Sequence, residues 1–523
     1  MNKPLKIILI TILEIILFVP ALLDQKIDRG ARTLDEYWAE SGLQAKELES
    51  LLSVSICNAD KISYLSCINA ISQVAEKMNL ALNETGKLEP LSRKTIEKRI
   101  SEKTDLSDWE KRFDHHEMIP SAQFLDLWNQ LKKGTTEKNI SSLVAAGING
   151  YLSVARDPHS YIIPLRFYEE VIANSENKSM NLGFIVRRSK DTAIVRKLFS
   201  GSPAEKAGLK KGDRILKMNG VEVSTMLSAQ FSETLKAKES DRLALLISRA
   251  KNGKTEEKYI EIIKKDFSAP SVEYAIRESE KALGILTIHK FAKDTCYLTK
   301  KAVISLVEKN VAGILMDLRD NPGGQVEEAA CVINLFVGKG KLLFETRYLN
   351  PIKQVDRYVS ERNAIYNKPL AVLINSGSAS AAEIVAGSLK DLKRATLVGE
   401  RTFGKGTFQD GKIWGSYQKI AVFETEGMYY FPSGWTPQLI GIEPDLQVKF
   451  ANIDFQREED LFYRPLRPKD LWTGPQTISW LQLMQCPQNP TLWNDLGFET
   501  DDDQMTKAFE WLRCRNDKVG SFE

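Results

Sequence analysis

The sequence has few histidines, little net charge and no Cys/His cluster at zinc-binding spacing, and each shortage excludes a class of protein. Its four histidines lie in no Gly-x-Ser-x-Gly or chymotrypsin-like setting. Lysine plus arginine (72) nearly balances aspartate plus glutamate (69), so the net charge of +3 provides no broad basic surface for nucleic acid. Because no Cys-x-x-Cys pair or Cys/His cluster has zinc spacing, we expect no metal and no other cofactor.

Long hydrophobic runs are also scarce. The main one, residues 7–17, follows two lysines and precedes the small-residue segment 18–21. This layout predicts a secretory signal peptide over residues 1–21. Because Glu14 interrupts the run, a permanent membrane anchor through residues 7–20 is the weaker alternative. Either interpretation predicts an exported, periplasmic protein.

The six cysteines are an even number, as expected for an exported chain that forms disulfides. Cys57 and Cys67 lie on either side of a turn signal, and Cys486 and Cys514 both lie in the final segment. We predict these two pairs as disulfides. The remaining two cysteines, Cys296 and Cys331, fall in predicted core helices, where free thiols and a bridge both stay open.

Hydrophobic periodicity divides the chain into regions. Spacings of three and four predict an N-terminal helical region over 34–165. The period then changes to two, which predicts a β-rich domain over 180–265. Continuous apolar runs separated by helices follow over 270–450, as expected for strands buried on both faces of a largely parallel sheet. Residues 451–523 are predicted to form a C-terminal helical extension of open role.

The β-rich domain contains an ordered series of turn and hairpin signals between Gly201 and Gly220. This series resembles a PDZ domain, and a generic hairpin domain is the alternative. PDZ domains take the terminal carboxylate of a peptide that is added to the sheet as an extra strand. The resemblance places this peptide-binding loop at Leu182, Gly183 and Phe184.

Two predicted strand ends of the 270–450 region carry unusual segments, and active sites of α/β sheets lie at such ends. Residues 317–324 end in paired glycines and open a helix, so their N–H groups suit an anion or oxyanion site. Residues 375–384 contain Ser380 at the start of a predicted helix that extends to Asp391. Ser380 and Glu383 also fit an ordinary capping box.

Lys405 gives the serine a possible base. It lies between two glycines at the end of the neighbouring predicted strand, as a lysine in a narrow site would. Lysine acts as a base only where burial lowers its pKa from about 10.4 towards neutrality, and Phe403 and Phe408 could supply that burial. His289, at another strand end, is the alternative base.

In order and spacing, residues 380–384, Asp391 and residues 402–409 resemble the carboxyl-terminal processing (tail-specific) peptidases. The resemblance covers about 140–449, including Asp157-Pro158-His159-Ser160. It implies an α/β, multidomain protein: a crotonase-like peptidase core with an inserted PDZ domain and a helical N-terminal region. It also implies a homodimer or an adaptor complex through that N-terminal region as a hypothesis.

The resemblance further assigns roles to individual residues. Ser380 corresponds to the nucleophile, Lys405 to the general base and Gln409 to the group that orients the lysine amine. The oxyanion hole is implied at the backbone N–H groups of three candidates: Ala381, and Gly323 or Gly324. The predicted function is a serine endopeptidase that cleaves proteins through their C-terminal tails, and an inactive PDZ-containing peptide-binding scaffold is the alternative.

Three aspartates carry separate expectations. Asp320 stands where the family commonly has a small or amide residue, and we expect its side chain to face solvent. Asp391 lies eleven residues, about 16 Å, along a helix from Ser380, so we assign it a structural role at the helix end. Asp502, within an acidic run, is predicted to belong to a solvated helix start.

Overall fold

The computed structural model describes most of the chain between residues 34 and 519. The described residues are 34–83, 85–91, 119–169, 182–188, 192–226, 231, 234–235, 242–251, 254–263, 267, 269–278, 281–350, 352–353, 355–414, 417–449, 457–458 and 502–519. The predicted signal peptide and Cys486 lie outside these ranges, as does the side chain of Cys514. No helix in the described part is long and apolar enough to cross a membrane.

The secondary structure follows in chain order. The helices are α1 (Leu34–Ser41), α2 (Ala45–Leu51), α3 (Val54–Cys57), α4 (Lys61–Lys77), α5 (Gln123–Lys133), α6 (Glu137–Ala155), α7 (Pro203–Lys206), α8 (Thr295–Glu308), α9 (Val326–Asn334), α10 (Ala381–Asp391) and α11 (Asp503–Val519). The first strands are β1 (Leu80–Leu82), β2 (Leu88–Pro90), β3 (Tyr161–Pro164), β4 (Phe184–Arg188), β5 (Ala193–Leu198), β6 (Arg214–Met218), β7 (Val221–Glu222), β8 (Arg242–Lys251) and β9 (Lys254–Ile263). The later strands are β10 (Val272–Arg277), β11 (Leu283–Ile288), β12 (Gly313–Asp317), β13 (Leu342–Tyr348), β14 (Asp356–Val359), β15 (Leu370–Ile374), β16 (Thr396–Gly399), β17 (Thr407–Trp414), β18 (Tyr417–Tyr430) and β19 (Leu446–Gln447).

The N-terminal region is mainly helical, with α1 to α6 around one apolar core. Trp128 and Phe124 of α5 are fully buried there, because the apolar residues of this helix lie on one face. The antiparallel hairpin of β1 and β2 interrupts the helices and was not predicted. The core also includes Ile420 and Phe423 of β18, so the region packs directly on the C-terminal half of the chain.

The PDZ-like domain is an antiparallel sheet in the order β4-β5-β6-β8-β9, with β7 paired to β6. Its core contains alternate residues of the strands, as the period of two predicted. β4 pairs with β5 on one side and is the outer strand of this sheet order. An outer strand leaves backbone groups available for a further strand.

The central sheet has the order β10-β11-β12-β15-β16-β19. β10 is antiparallel to β11 and the other pairs are parallel. Every residue of β12 and β15 is buried, which explains why these strands are continuous apolar runs. Helices α8, α9 and α10 share a core with one face of the sheet, and α11 packs on the other face.

A second sheet has the order β14-β13-β18-β17, with β3 also paired to β18. β17 begins directly after the lysine loop of residues 402–406, and the long β18 holds it in register. Because β3 follows the N-terminal helices and pairs with β18, this sheet connects the start of the chain to the lysine loop.

Candidate active site

Ser380 lies in the turn between the buried strand β15 and helix α10. The preceding residues form a tight turn in which Ser378 N–H donates to the Asn375 carbonyl at 2.8 Å. The backbone of Ser380 has φ 53° and ψ −117°, a conformation that residues other than glycine rarely adopt. Such a strained strand-to-helix turn is a typical setting for a nucleophile at the end of a sheet.

Glu383 joins this turn to the lysine loop. Its fully buried carboxylate accepts, through Oε2, the N–H groups of Ser380 and Lys405, each at 2.9 Å. Oε1 accepts from the Thr402 hydroxyl at 2.5 Å and from Gly404 N–H at 2.8 Å. Burial raises the pKa of Glu383 to about 8, although the four hydrogen bonds act to lower it. Glu383, predicted from its spacing only as a helix cap, therefore also holds a second loop.

A second bridge connects the same two segments. The Tyr429 hydroxyl lies 2.6 Å from the Lys405 carbonyl oxygen and 3.4 Å from that of Ser380. Both residues are almost completely buried, Ser380 with 3% and Lys405 with 2% of its surface exposed. The structure therefore ties together the buried backbone segments that carry the two predicted catalytic residues.

The local geometry explains why a glycine lies on each side of Lys405. Gly404 has a φ of 99°, which favours glycine, and a Cβ on Gly406 would lie 2.4 Å from Thr436 Oγ1. The backbone conformation at Gly404 and the lack of space at Gly406 thus each disfavour a side chain. This agrees with the expectation, made from the glycines alone, that the lysine enters a narrow site.

Gln409 lies where the sequence analysis expected the group that orients the lysine. Lys405 Nζ donates to Gln409 Oε1 at 2.9 Å, and both residues belong to the segment that starts β17. The amide accepts this bond without adding a negative charge.

The oxyanion candidates lie beside the serine turn. Ala379 N–H donates to the Asn321 carbonyl at 2.9 Å, which places the segment of Gly323 and Gly324 next to it. Ala381 is the first residue of α10, so its N–H has no intrahelical acceptor. The N–H of Gly323 donates to Asn321 Oδ1 at 2.8 Å, whereas that of Gly324 has no acceptor among the described residues. Gly324 is therefore the better oxyanion candidate of the two glycines.

The expectation that Asp320 faces solvent is wrong. Asp320 is buried, and its Oδ1 accepts from Asn375 Nδ2 at 3.1 Å. Its Oδ2 lies 3.4 Å from Nε of Arg196, a buried residue of β5 in the PDZ-like domain. No local pattern reveals this partner, which lies 124 residues away along the chain. The negative charge beside the oxyanion candidates is thus matched by a cation from another domain.

His289, the alternative base, has a different partner. Its Nε2 lies 2.6 Å from Glu273 Oε2, and its ring contacts that of Phe199 in the PDZ-like domain. Burial lowers the pKa of His289, against the hydrogen bond to Glu273. The structure thus places His289 between the central sheet and the PDZ-like domain.

The predicted peptide-binding loop lies at the entry to β4. Phe199 N–H donates to the Gly183 carbonyl and Ala204 N–H to the Leu182 carbonyl, so the loop is fixed on its inner side. Gly183 has a φ of 74°, and a Cβ there would lie 2.1 Å from the Ser202 Cβ, so a side chain would displace the loop. Phe184 pairs with Leu198 as the first residue of β4.

The structure also locates four of the six cysteines in disulfides and places Asp391 at a helix end. The structure pairs Cys57 with Cys67, as predicted, and also joins Cys296 to Cys331, which the sequence left open. The Cys486–Cys514 prediction lies outside the described residues. Asp391 ends α10 and accepts the N–H of Ser433 at 2.7 Å, as expected of a structural residue. The part of the chain that the structure describes contains no group of residues able to hold a metal ion.

Comparison with known proteins defines the class of this chain. The model of peptidase family S41 matches residues 282–448, and that of the PDZ domain matches residues 170–248. The protein is a serine-type peptidase with a PDZ domain on a multidomain α/β fold.

Individual relatives narrow the class. The chain is 32% identical to the carboxy-terminal processing protease CtpA of Bacillus subtilis over 61% of its own length and 68% of that protein. It is 29% identical to a probable CtpA-like serine protease of Staphylococcus aureus strain MRSA252, over 60% and 61% of the two chains. A photosystem II D1 C-terminal processing protease structure is 23% identical with a TM-score of 0.46, over 68% of this chain and 93% of that one. The chain belongs to the carboxy-terminal processing protease family.

Proposed function

We propose that Ser380 and Lys405 form a Ser-Lys dyad that cleaves protein substrates recognised by their C-terminal tails in an extracytoplasmic compartment. The observation that carries the dyad is the Glu383 carboxylate, which binds the backbone N–H groups of both residues. A residue that accepts from both segments fixes the serine and the lysine relative to each other. The strained backbone of Ser380 supports the same assignment.

The reaction follows from these positions. Neutral Lys405 takes the hydroxyl proton of Ser380 as the oxygen attacks the scissile carbonyl carbon. The N–H groups of Ala381 and Gly324 stabilise the negative charge on the carbonyl oxygen. Lys405 then gives the proton to the departing amine, and a water molecule, deprotonated by the same lysine, hydrolyses the acyl-enzyme.

Tail capture is supported by the outer position of β4, next to the loop at Leu182 and Gly183. A peptide added along β4 would end with its carboxylate at this loop. We expect an internally quenched peptide with a free C-terminus to have a KM about 10-fold lower than its C-terminally amidated form. Equal KM values for the two peptides would exclude recognition of the terminal carboxylate.

Export is supported by two disulfides, Cys57–Cys67 and Cys296–Cys331, because such bonds persist in oxidising compartments. The signal-like layout of residues 1–21 is consistent with this. Fractionation of cells that produce the chain should place it outside the cytoplasm. Recovery in the cytosolic fraction with all thiols free would contradict the proposal.

A homodimer or adaptor complex stays a prediction, which light scattering of the whole chain would test.

Substitution at the two catalytic positions tests the dyad. Ser380→Ala and Lys405→Arg should each lower casein hydrolysis by at least about 1,000-fold. Alanine has no hydroxyl to act as the nucleophile, and the guanidinium of arginine stays protonated and cannot act as a base. Gln409→Ala should lower it less. The exposed Lys412 of β17 provides a matched control, and Lys412→Arg should retain full activity.

Two other results would change the assignment. Appreciable hydrolysis by Lys405→Arg would exclude the lysine as the base and direct attention to His289. A folded wild-type chain that binds tailed peptides but cleaves neither them nor casein would support the alternative function of an inactive peptide-binding scaffold.

A further inference from the structure

A chain of hydrogen bonds extends from the end of the N-terminal helical region to the amine of Lys405. The Thr425 hydroxyl donates to Asp157 Oδ1 at 2.7 Å, and Gln409 Nε2 donates to Thr425 Oγ1 at 3.2 Å. Gln409 Oε1 in turn accepts from Lys405 Nζ at 2.9 Å. Asp157 and Thr425 are buried, and Thr425 lies opposite Gln409 in the pairing of β17 with β18.

The carboxylate of Asp157 fixes the direction of these bonds. The Thr425 hydroxyl donates to Asp157 Oδ1, so its hydrogen points to Asp157. The Thr425 oxygen is then an acceptor and binds the NH₂ group of Gln409. The Thr407 hydroxyl accepts from the same NH₂ group at 3.1 Å. The amide oxygen of Gln409 is therefore held towards Lys405, because a reversed amide would place two oxygens against each other at Thr425.

Asp157 is itself held by its own segment. Its Oδ1 accepts the N–H of His159 at 2.9 Å, and its Oδ2 accepts the Ser160 hydroxyl at 2.7 Å. Ser160 Oγ also accepts the N–H of Thr425 at 3.3 Å, and β3 pairs with β18 from the next residue on. The carboxylate thus keeps a fixed position relative to β18 before any substrate binds.

We propose that Asp157 and Thr425 are positioning residues of the peptidase reaction that act through Gln409. They keep the Gln409 carbonyl oxygen on the lysine amine, so that the lone pair of the neutral amine is left for the Ser380 proton. A reversed amide would donate a hydrogen to that lone pair and compete with the serine. The proposal rests on the proposed function of Lys405 as the base, and it gives residues 157–160 a part in catalysis.

The direct test removes the Thr425 hydroxyl. Thr425→Val replaces the hydroxyl by a methyl group of similar size. It should lower kcat on a casein-derived fluorogenic peptide by about 10-fold and change KM by less than about twofold. Thr425→Ser keeps the hydroxyl and should retain at least about half of the wild-type kcat. Thr299 is a matched control, because its hydroxyl in α8 is buried without a hydrogen-bond partner in the described structure. Thr299→Val should leave kcat unchanged.

A second measurement separates positioning from a general structural role. In a Gln409→Ala background, Thr425→Val and Asp157→Asn should each lower kcat by less than about twofold further, because the amide through which they act is gone. Equal losses in the two backgrounds, or a wild-type kcat in Thr425→Val, would overturn the proposal. A Thr425→Ser variant as impaired as Thr425→Val would do so as well.

Ser380→Ala, measured in parallel, distinguishes failure of this inference from failure of the proposed function. If Ser380→Ala stays active, the dyad itself is wrong. If Ser380→Ala is inactive and Thr425→Val is unaffected, the dyad stands and only the positioning role is refuted. Thermal unfolding of every variant checks that it is folded at the assay temperature.

Discussion

Glu383 is the residue on which the geometry of the proposed active site depends most. Its two oxygens accept one hydroxyl and three backbone N–H groups, from both the serine turn and the lysine loop. From the sequence, Ser380 and Glu383 predict a helix cap, because those two residues are three apart. The bonds to Thr402 and Lys405 span 19 and 22 residues, so no local pattern could indicate them.

Replacing this carboxylate by an amide should affect both the stability of the fold and the peptidase activity. In Glu383→Gln one oxygen becomes an NH₂ group, which cannot accept from backbone N–H groups. Relative to the ionised carboxylate, which is the main form above about pH 8, two buried donors then lose their acceptor, at about 1–3 kcal/mol each. We expect a lower free energy of unfolding and a peptidase rate reduced by at least about 10-fold. Urea unfolding and casein hydrolysis measure the two effects, and a variant with wild-type activity would contradict the role given to Glu383.

The raised pKa of Glu383 makes stability depend on pH. The value of about 8 lies above the ordinary 4.5, so the folded protein keeps a proton that the unfolded chain has lost. The free energy of unfolding should therefore fall as pH rises from about 4.5 to about 8, by at most about 1.4 kcal/mol per pH unit. Urea titrations at several pH values should show this slope as the difference between wild type and Glu383→Gln. A difference independent of pH would refute the protonated state.

At the scale of elements, helix α9, which follows the oxyanion candidates Gly323 and Gly324, is covalently joined to helix α8. The disulfide Cys296–Cys331 joins α8 to α9, and Glu328 of α9 accepts the Cys296 N–H at 2.7 Å. Phe291, just before α8, pairs with Gly324 as an isolated bridge. The Phe291 N–H donates to the Gly323 carbonyl and its own carbonyl accepts the Gln325 N–H, so the loop before α8 holds the segment around Gly324 that leads into α9.

Loss of this disulfide should destabilise the core. The bond closes a loop of 35 residues, for which the loss of loop-closure entropy predicts about 3–4 kcal/mol of stability. The double variant Cys296→Ala with Cys331→Ala should lose that amount in urea unfolding under non-reducing conditions. Dithiothreitol should lower the stability of the wild type but not further lower that of the variant in which Cys57, Cys67, Cys486 and Cys514 are also alanine. An unchanged midpoint in the double variant would contradict the expectation.

The elements that sequence patterns predicted well are those whose signals are local. The boundaries of α10 and the buried runs of β12 and β15 follow directly from apolar spacing and from a small-residue turn. The hairpin of β1 and β2 was missed because strands of three residues are too short to show a period. Asp320 was misjudged because its cationic partner lies in another domain. What the sequence could not predict is, in each of these cases, a partner distant along the chain or an element too short to have a pattern.

At the scale of the whole molecule, Asp502 connects three parts of the chain. The predicted helix start is confirmed, because α11 begins at Asp503 and the Asp502 carboxylate accepts the N–H of Met505. The expectation that it is solvated is wrong for Asp502, which is mostly buried and lies 2.8 Å from Arg319 and 3.0 Å from Lys211. Arg319 follows β12, and Lys211 belongs to the PDZ-like domain. Burial opposes the ionisation of Asp502, but the charges of Arg319 and Lys211 hold its pKa below the usual range.

Removing the Asp502 charge should loosen this connection. Asp502→Asn leaves Arg319 with its bidentate partner Asp317, so we expect a moderate loss of about 1–2 kcal/mol in the free energy of unfolding. Asp503→Asn, at the exposed neighbouring position, is the matched control and should be neutral. Limited proteolysis should also cut the segment around the PDZ-like domain faster in Asp502→Asn. Identical unfolding curves for the two variants would show that the ion pairs do not hold the domains together.

Helix α11 completes the fold by covering one face of the central sheet, although it lies beyond the residues that the peptidase family model matches. Phe509 is 3% exposed and packs in the core that α11 shares with strands β11, β12, β15 and β16. Phe509→Ala should therefore lower the free energy of unfolding by about 3–5 kcal/mol, because it removes a buried ring that the sheet cannot replace. Lys507→Ala, at an exposed position of the same helix, should change the free energy of unfolding by less than about 0.5 kcal/mol.

A chain that ends at residue 501 should expose the apolar sheet face and aggregate, as light scattering would detect. If the shortened chain keeps the oligomeric state of the whole chain and is as stable, α11 is an accessory to the peptidase and not part of its core.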